Sequence, residues 1–214
     1  MRKFVFLCLG FICCSFTYAQ KVAVLEYNGG GDWYGNPTAL PNLVQFCNQN
    51  IRTKIDNEIG QVKPTDPALF SYAFIHMTGH GNVYFSEKGI ENLRRYLLGG
   101  GFLHIDDNYG MYKYLLPQLK RLFPEKELQE LPASHKLFQQ PFNFSKGLPK
   151  IHEHDGKRPQ ALGIFDQNRL ILLYTFESDL GDGWESPAVH GDPAEVREKA
   201  LKMGANIIHY AFKN

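Results

Sequence analysis

The sequence predicts an α/β domain built on a mainly parallel sheet with helices on both faces. Three observations carry this expectation. Short, almost wholly apolar runs such as Val22-Ala23-Val24-Leu25 and Ala73-Phe74-Ile75 are strand-like and too apolar to leave a face in water. They alternate with segments whose apolar residues recur every three or four positions, the helical period. Each run stops at a glycine- or aspartate-rich cluster, as strands feeding crossover helices do.

The elements follow in order. Lys21–Tyr27 is a strand stopped by Gly29-Gly30-Gly31. Leu40, Leu43, Val44, Cys47, Ile51, Ile55 and Ile59 share one stripe, which predicts a single amphipathic helix with Pro41 in its first turn. Gln61–Pro64 reads as a short edge strand, and Tyr72–Met77 as a buried one running into Thr78-Gly79-His80-Gly81. Ser86 has the position of an N-cap for a helix with Ile90, Leu93, Tyr96 and Leu97 on its apolar face. Gly99-Gly100-Gly101 ends that helix, and Phe102–Ile105 is a strand leading into Asp106-Asp107-Asn108. A helix over Met111–Phe123 is stopped by Pro124. Residues 124–160 are polar and proline-rich, an irregular lobe with room for one short helix. Ala161–Phe165 and Leu170–Tyr174 pair as a hairpin around Asp166–Arg169, and a last helix starts near Pro193 with Val196, Ala200, Met203, Ile207 and Phe212 inward.

The first residues read differently. Met1-Arg2-Lys3 is a positive start, Phe4–Phe16 an apolar stretch, and Thr17-Tyr18-Ala19 a small-residue end. This is the pattern of a secretory signal peptide, too short to span a membrane. Cleavage is expected after Ala19, giving a leader over 1–19 and one domain over 20–214, exported to the periplasm or the medium. Cys13 and Cys14 allow a lipoprotein reading, but Ile12 is bulky where a small residue is needed. Removing 19 of the 214 residues leaves 195, and loss of Arg2 and Lys3 changes 23 basic against 22 acidic residues to 21 against 22. Of the four cysteines only Cys47 would remain, so no internal disulfide is available. The charge balance, with no basic run longer than a pair, argues against nucleic-acid binding.

Ligands of open α/β sheets bind beyond the carboxyl ends of the strands. Four polar clusters are expected there: Gly29-Gly30-Gly31-Asp32-Trp33-Tyr34, Thr78-Gly79-His80-Gly81, Asp106-Asp107-Asn108, and Asp179-Leu180-Gly181-Asp182-Gly183-Trp184-Glu185. The glycines Gly30, Gly31, Gly79 and Gly81 allow close approach of a ligand or simply build turns. Asp106 and Asp107 have the chemistry of a general base, or of a helix cap. His80 suits an acid or a metal ligand. Trp33, Tyr34 and Trp184, beside Asp32, Asn108, Asp179, Asp182 and Glu185, suit stacking on a small polar ligand, or ordinary packing. His152-Glu153-His154-Asp155 has the alternation of a transition-metal pair but no partner motif, and the glycine-aspartate run at 179–185 departs from the twelve-residue calcium loop. No metal ligand and no cofactor is therefore assigned. No G-x-S-x-G elbow occurs, and Cys47 lies on the apolar face of a helix.

In the order of these signals the chain resembles the DUF4159 family. The residues that carry the resemblance are Gly30–Tyr34 with Asn36-Pro37-Thr38, Met77–Gly81, Gly100–Leu103 leading to Asp106-Asp107, and Asp179–Glu185. It implies a flavodoxin-like three-layer sandwich of the class I glutamine-amidotransferase type, and no established activity. Amidotransferases of that type carry a cysteine where Asp106-Asp107 stand, so the resemblance excludes glutaminase chemistry. ThuA-like relatives of that fold tend to carry a histidine there and are connected with sugars, which makes a carbohydrate the expected class of small polar ligand. Caspase-like proteases are similar at His80-Gly81 but again need a cysteine at the next strand end. The expectation is thus an exported binding domain, with a water-using, metal-assisted hydrolase (Asp106 or Asp107 as base, His80 as acid or ligand) as the alternative.

Overall fold

The computed structural model describes residues 20–213; the proposed leader lies outside them. Among these residues the strands form one seven-stranded sheet in the order β2-β1-β3-β4-β7-β6-β5. The strands are β1 (Val22–Leu25), β2 (Gly60–Val62), β3 (Phe74–His80), β4 (Phe102–Tyr109), β5 (Gln129–Glu130), β6 (Gln160–Asp166) and β7 (Arg169–Phe176). β2, β1, β3, β4 and β7 are mutually parallel, in the 2-1-3-4-5 order of flavodoxin-like sheets. β6 runs antiparallel to β7 as the expected hairpin, and β5 adds a two-residue edge to it.

Alternation along the parallel strands divides the interior into two cores. Val22, Phe74, Phe102 and Leu173 face α1 (Ala39–Asn50), α4 (Leu180–Trp184) and α6 (Ala194–Lys213). Ala23, Ile75, Leu103 and Leu172 face α2 (Glu87–Leu98) and α3 (Tyr112–Leu122). The remaining helix, α5 (Pro187–His190), has no buried residue. Ser86 caps α2 as expected, its Oγ accepting the Gly89 N–H at 3.1 Å.

Two expectations are corrected and a third is extended. The first helix ends at Asn50 and does not run to Ile59. Arg52 is left-handed, at φ 56°. The Asn48 amide then pairs with the chain that follows: its Oδ1 accepts the Ile55 N–H at 3.0 Å and its Nδ2 donates to the Ile55 carbonyl at 2.9 Å. Ile55 still reaches the core, but from a bridge to Gln20. Second, β4 does not stop at Ile105; Asp106, Asp107 and Asn108 are strand residues. Third, the 124–160 lobe has its one short helix, a single 3-10 turn over Lys136–Phe138, and adds the two-residue β5.

Candidate functional site

Strand pleat decides what Asp106 and Asp107 can do. Adjacent side chains on a strand point to opposite faces. Asp106 points to the α1–α4 side, where its carboxylate takes the Thr175 hydroxyl and the Gly181 N–H. Asp107 points to the α2–α3 side. There it accepts N–H bonds from Met111 and Tyr112 at 3.0 and 3.1 Å and the Tyr174 hydroxyl at 2.5 Å. Asp107 therefore caps the start of α3. Burial pushes the Asp106 carboxyl up to about 7. Burial also raises that of Asp107, against the pull of its three donors.

Asp106 ends a buried chain of hydrogen bonds. Thr175 Oγ1 lies 3.0 Å from His104 Nε2, and His104 Nδ1 lies 3.1 Å from His76 Nδ1. The indole of Trp184 packs on both imidazoles, with ring centroids 5.2 and 5.6 Å apart. Burial drives both histidines toward neutrality, that of His76 down to about 3. His76 Nε2, at the far end, is buried without a partner. The chain has two directions. With Asp106 ionised, Thr175 donates to it, His104 donates to Thr175, and His76 donates to His104, leaving His76 Nε2 an acceptor. With Asp106 protonated every bond reverses, and His76 Nε2 becomes a donor.

Next to this chain lies a net of amides. Thr78 Oγ1 donates to Asn108 Oδ1 at 2.8 Å, and Asn108 Nδ2 donates to Asn36 Oδ1 at 3.3 Å and to Asp182 Oδ1 at 3.2 Å. Asn36 Nδ2 donates to the same Asp182 oxygen at 2.7 Å. Gly181 sits in the middle: a Cβ there would fall 2.7 Å from Asn36 Nδ2 and 3.1 Å from Asp106 Oδ2. Two clefts flank the net. One, of about 300 Å³, is walled by Trp33, Tyr34, Leu40 and Ile59 and includes Asn36, His76 and Thr78. The other, of about 280 Å³, is lined by Asp107, Asn108, Tyr109, Tyr112, His154 and Glu177 among others.

The outer loops complete the edge. Asp32 receives the His80 backbone N–H and lies 2.9 Å from His80 Nδ1. Burial works against the Asp32 charge, but these bonds outweigh it and hold the carboxyl below its usual range. Gly79 must be glycine: at φ 133° a Cβ would stand 2.4 Å from Tyr27 Oη. Gly31 donates its N–H to the Asn82 carbonyl, while Gly30 and Gly81 have open space where a side chain would be. His80 is thus paired with Asp32 and half-exposed, apart from Asp106.

Two residues expected at the ligand have other work. Trp184 is fully buried and donates its indole N–H to the Ala200 carbonyl at 2.8 Å. The buried Glu185 carboxylate accepts the Thr38 and Ala39 N–H groups, each at 2.9 Å, and the Thr38 hydroxyl at 2.7 Å, so it caps α1. Asp179, at φ 57° and buried, pairs with His154 Nε2, and burial followed by the charge of Asp106 pushes its carboxyl up to about 9. Reasoning from sequence missed His76, Thr175, His190 and Asp192. The first two look like strand packing, and the last two stand in a loop without motif spacing.

Among the described residues no helix is long and apolar enough to cross a membrane. No curated protein matches the sequence. A family model does, over residues 21–212, from the first strand to the last helix. The chain therefore belongs to the family described as a domain of unknown function, DUF4159.

Proposed function

We propose that this DUF4159 domain is an exported binding protein that holds a small polar ligand, of carbohydrate type, in the cleft beside Trp33. The observation that carries the reading is the unpartnered His76 Nε2 among the residues of an aromatic-walled cleft. A buried polar atom without a partner is costly unless something meets it. A sugar supplies both halves of the match: hydroxyls for His76, Thr78 and Asn36, and a C–H face for Trp33. The flavodoxin-like strand order is compatible with the amidotransferase-like resemblance, and neither Asp106 nor Asp107, near the end of β4, is a thiol. Cys47, the one described cysteine, is buried in a core, and burial pushes its thiol up to about 12, so it supplies no nucleophile.

The chain has two tryptophans, and Trp184 is wholly buried. Quenching of Trp33 fluorescence by a panel of mono- and oligosaccharides, with a parallel thermal-shift screen, therefore tests the reading. At a hundred times Kd a ligand adds about 2.7 kcal/mol of stability. A sugar that quenches wild type and leaves Trp33→Phe unchanged supports it; a panel with neither response refutes it.

The hydrolase reading keeps one argument. A carboxyl raised to about 7 is matched to proton transfer at neutral pH, and the hydrogen-bond chain carries its state to His76. In that case turnover of a glycoside or ester would vanish in Asp106→Asn while binding survived.

A further inference from the structure

We propose that His152, Asp182 and His190 bind one divalent transition metal ion, with zinc as the probe, at a site beside the Trp33 cleft. The three side chains come from a loop, from α4 and from the end of α5, and their nearest donor atoms all lie within 4.8 Å of one another. His152 Nδ1 is 3.1 Å from Asp182 Oδ2, and His190 Nε2 is 3.8 Å from Asp182 Oδ1. Donors around a four-coordinate zinc stand about 3.3–3.6 Å apart, given bonds of about 2.0–2.2 Å. These two separations bracket that scale, and closing the set, whose donors lie within 4.8 Å, asks for a small shift of the exposed His190 ring, which packs on that of His152 with centroids 5.3 Å apart. Two imidazoles and one carboxylate are the ligand chemistry of zinc and its neighbours, and not that of calcium or magnesium.

Two features separate this cluster from a chance group of charges. The first is its support. His152 Nε2 lies 2.9 Å from Asp192 Oδ1. A proton held there leaves the Nδ1 lone pair facing Asp182, the carboxylate–histidine–metal arrangement that fixes a ligand's tautomer. Asp182 is held in turn by the Asn36 and Asn108 amides, both on Oδ1, so Oδ2 is turned away from them toward His152. The second is Asp179. It is fully buried, its Oδ1 has no partner, and its Oδ2 is 3.9 Å from His152 Nδ1. Its Oδ2 already pairs with His154 Nε2, so Asp179 stands beside the three ligands as a buried carboxyl with one unpartnered oxygen, whose ionised form a cation would favour. Because Asn36 and Asn108 line the two flanking clefts, the ion would sit between them.

The test is zinc titration of the purified protein after chelator treatment, read by calorimetry and melting temperature. Wild type should bind one equivalent and melt at least ~5 °C higher with zinc. His190→Ala, at an exposed position, should keep the metal-free melting temperature and bind zinc at least ~100-fold more weakly. Asp192→Asn, at the carboxylate that pairs with His152 Nε2, should weaken zinc ~10–100-fold. His209→Ala on α6 should bind as wild type does. Absence of stoichiometric binding in wild type would overturn the proposal. So would equal affinity in wild type and His190→Ala, which would mark adventitious capture by surface histidines. Sugar quenching of Trp33 in metal-free protein is scored separately, so either proposal fails without the other.

Discussion

Glu185 offers the sharpest check on how this edge is built. α1 starts at Ala39 with Thr38 as its N-cap, no side-chain cap bond from Thr38 itself and no acid in its first turn. A carboxylate 147 positions away supplies what is missing: it takes the N–H groups of Thr38 and Ala39, and the Thr38 hydroxyl that in turn accepts the Ser186 N–H. Glu185→Ala leaves the buried Ala39 N–H only the Asn36 carbonyl at 3.1 Å, sends the half-buried Thr38 N–H to water, and removes a negative charge from a helix N-terminus. Hydrogen bonding to a charged carboxylate is worth ~1.5–3 kcal/mol and the lost charge ~0.3–1 kcal/mol, so the expected loss is about 3 kcal/mol. For a domain of this size that lowers the melting temperature by ~6–12 °C. Glu185→Gln keeps an oxygen for the two N–H groups and should cost only about 1 kcal/mol. Urea unfolding with unchanged m-values reads both. A Glu185→Ala loss under 1 kcal/mol, or equal losses in the two variants, would refute the capping account. An effect on sugar quenching at full stability would return Glu185 to the ligand.

Other expectations follow from the same geometry. Folding keeps His76 neutral, so its folded pKa of about 3 lies below the unfolded 6.5, and its contribution is lost as pH falls through that window. Between pH 6.5 and 5 this amounts to about 2 kcal/mol. Asp106 works in the opposite sense, since its raised carboxyl favours the folded state as pH falls from about 7 toward 3.8. His76→Leu should therefore lose about 2 kcal/mol less than wild type from pH 7 to 5 in denaturant titrations; parallel losses contradict the assignment. Gly101→Ala puts a Cβ 2.3 Å from the Tyr96 ring, whose hydroxyl bonds Phe102 on both sides, and should destabilise by ~1–3 kcal/mol. Asn48→Ala removes the amide that turns the chain after α1 and should cost ~2 kcal/mol by the same melts, with Ile55 losing its hydrogen-exchange protection. Cys47 should react with thiol reagents only at the rate of unfolding; prompt labelling of native protein would contradict its burial.

Much of the architecture was legible in order along the chain. Apolar runs and helical stripes depend on local periodicity, and the parallel core strands, the hairpin, α2, α3 and α6 followed from it. The first helix was overdrawn because the stripe through Ile51, Ile55 and Ile59 has the same spacing whether a helix or a bridging loop carries it. Only the Asn48 side chain, closing on Ile55, breaks the tie. Likewise Asp106-Asp107-Asn108 look like a loop because they are polar, yet tertiary partners on both faces of the sheet keep them within β4.

By itself, then, the sequence determined the sheet, the family and the edge where polar clusters gather. Tertiary structure decided what each cluster does. The pleat sends Asp106 and Asp107 to opposite faces, so neighbours in sequence join a buried hydrogen-bond chain and a helix cap. Glu185 and Trp184, written inside one polar run, close a helix and fill a core. His152, Asp182, His190 and Asp192 have no common spacing and meet only because α4, α5 and the loop before β6 converge on the end of β4. Chain spacing records local geometry; a hydrogen-bond chain or a ligand set depends on distances across the fold, and those exist only once the layers have packed.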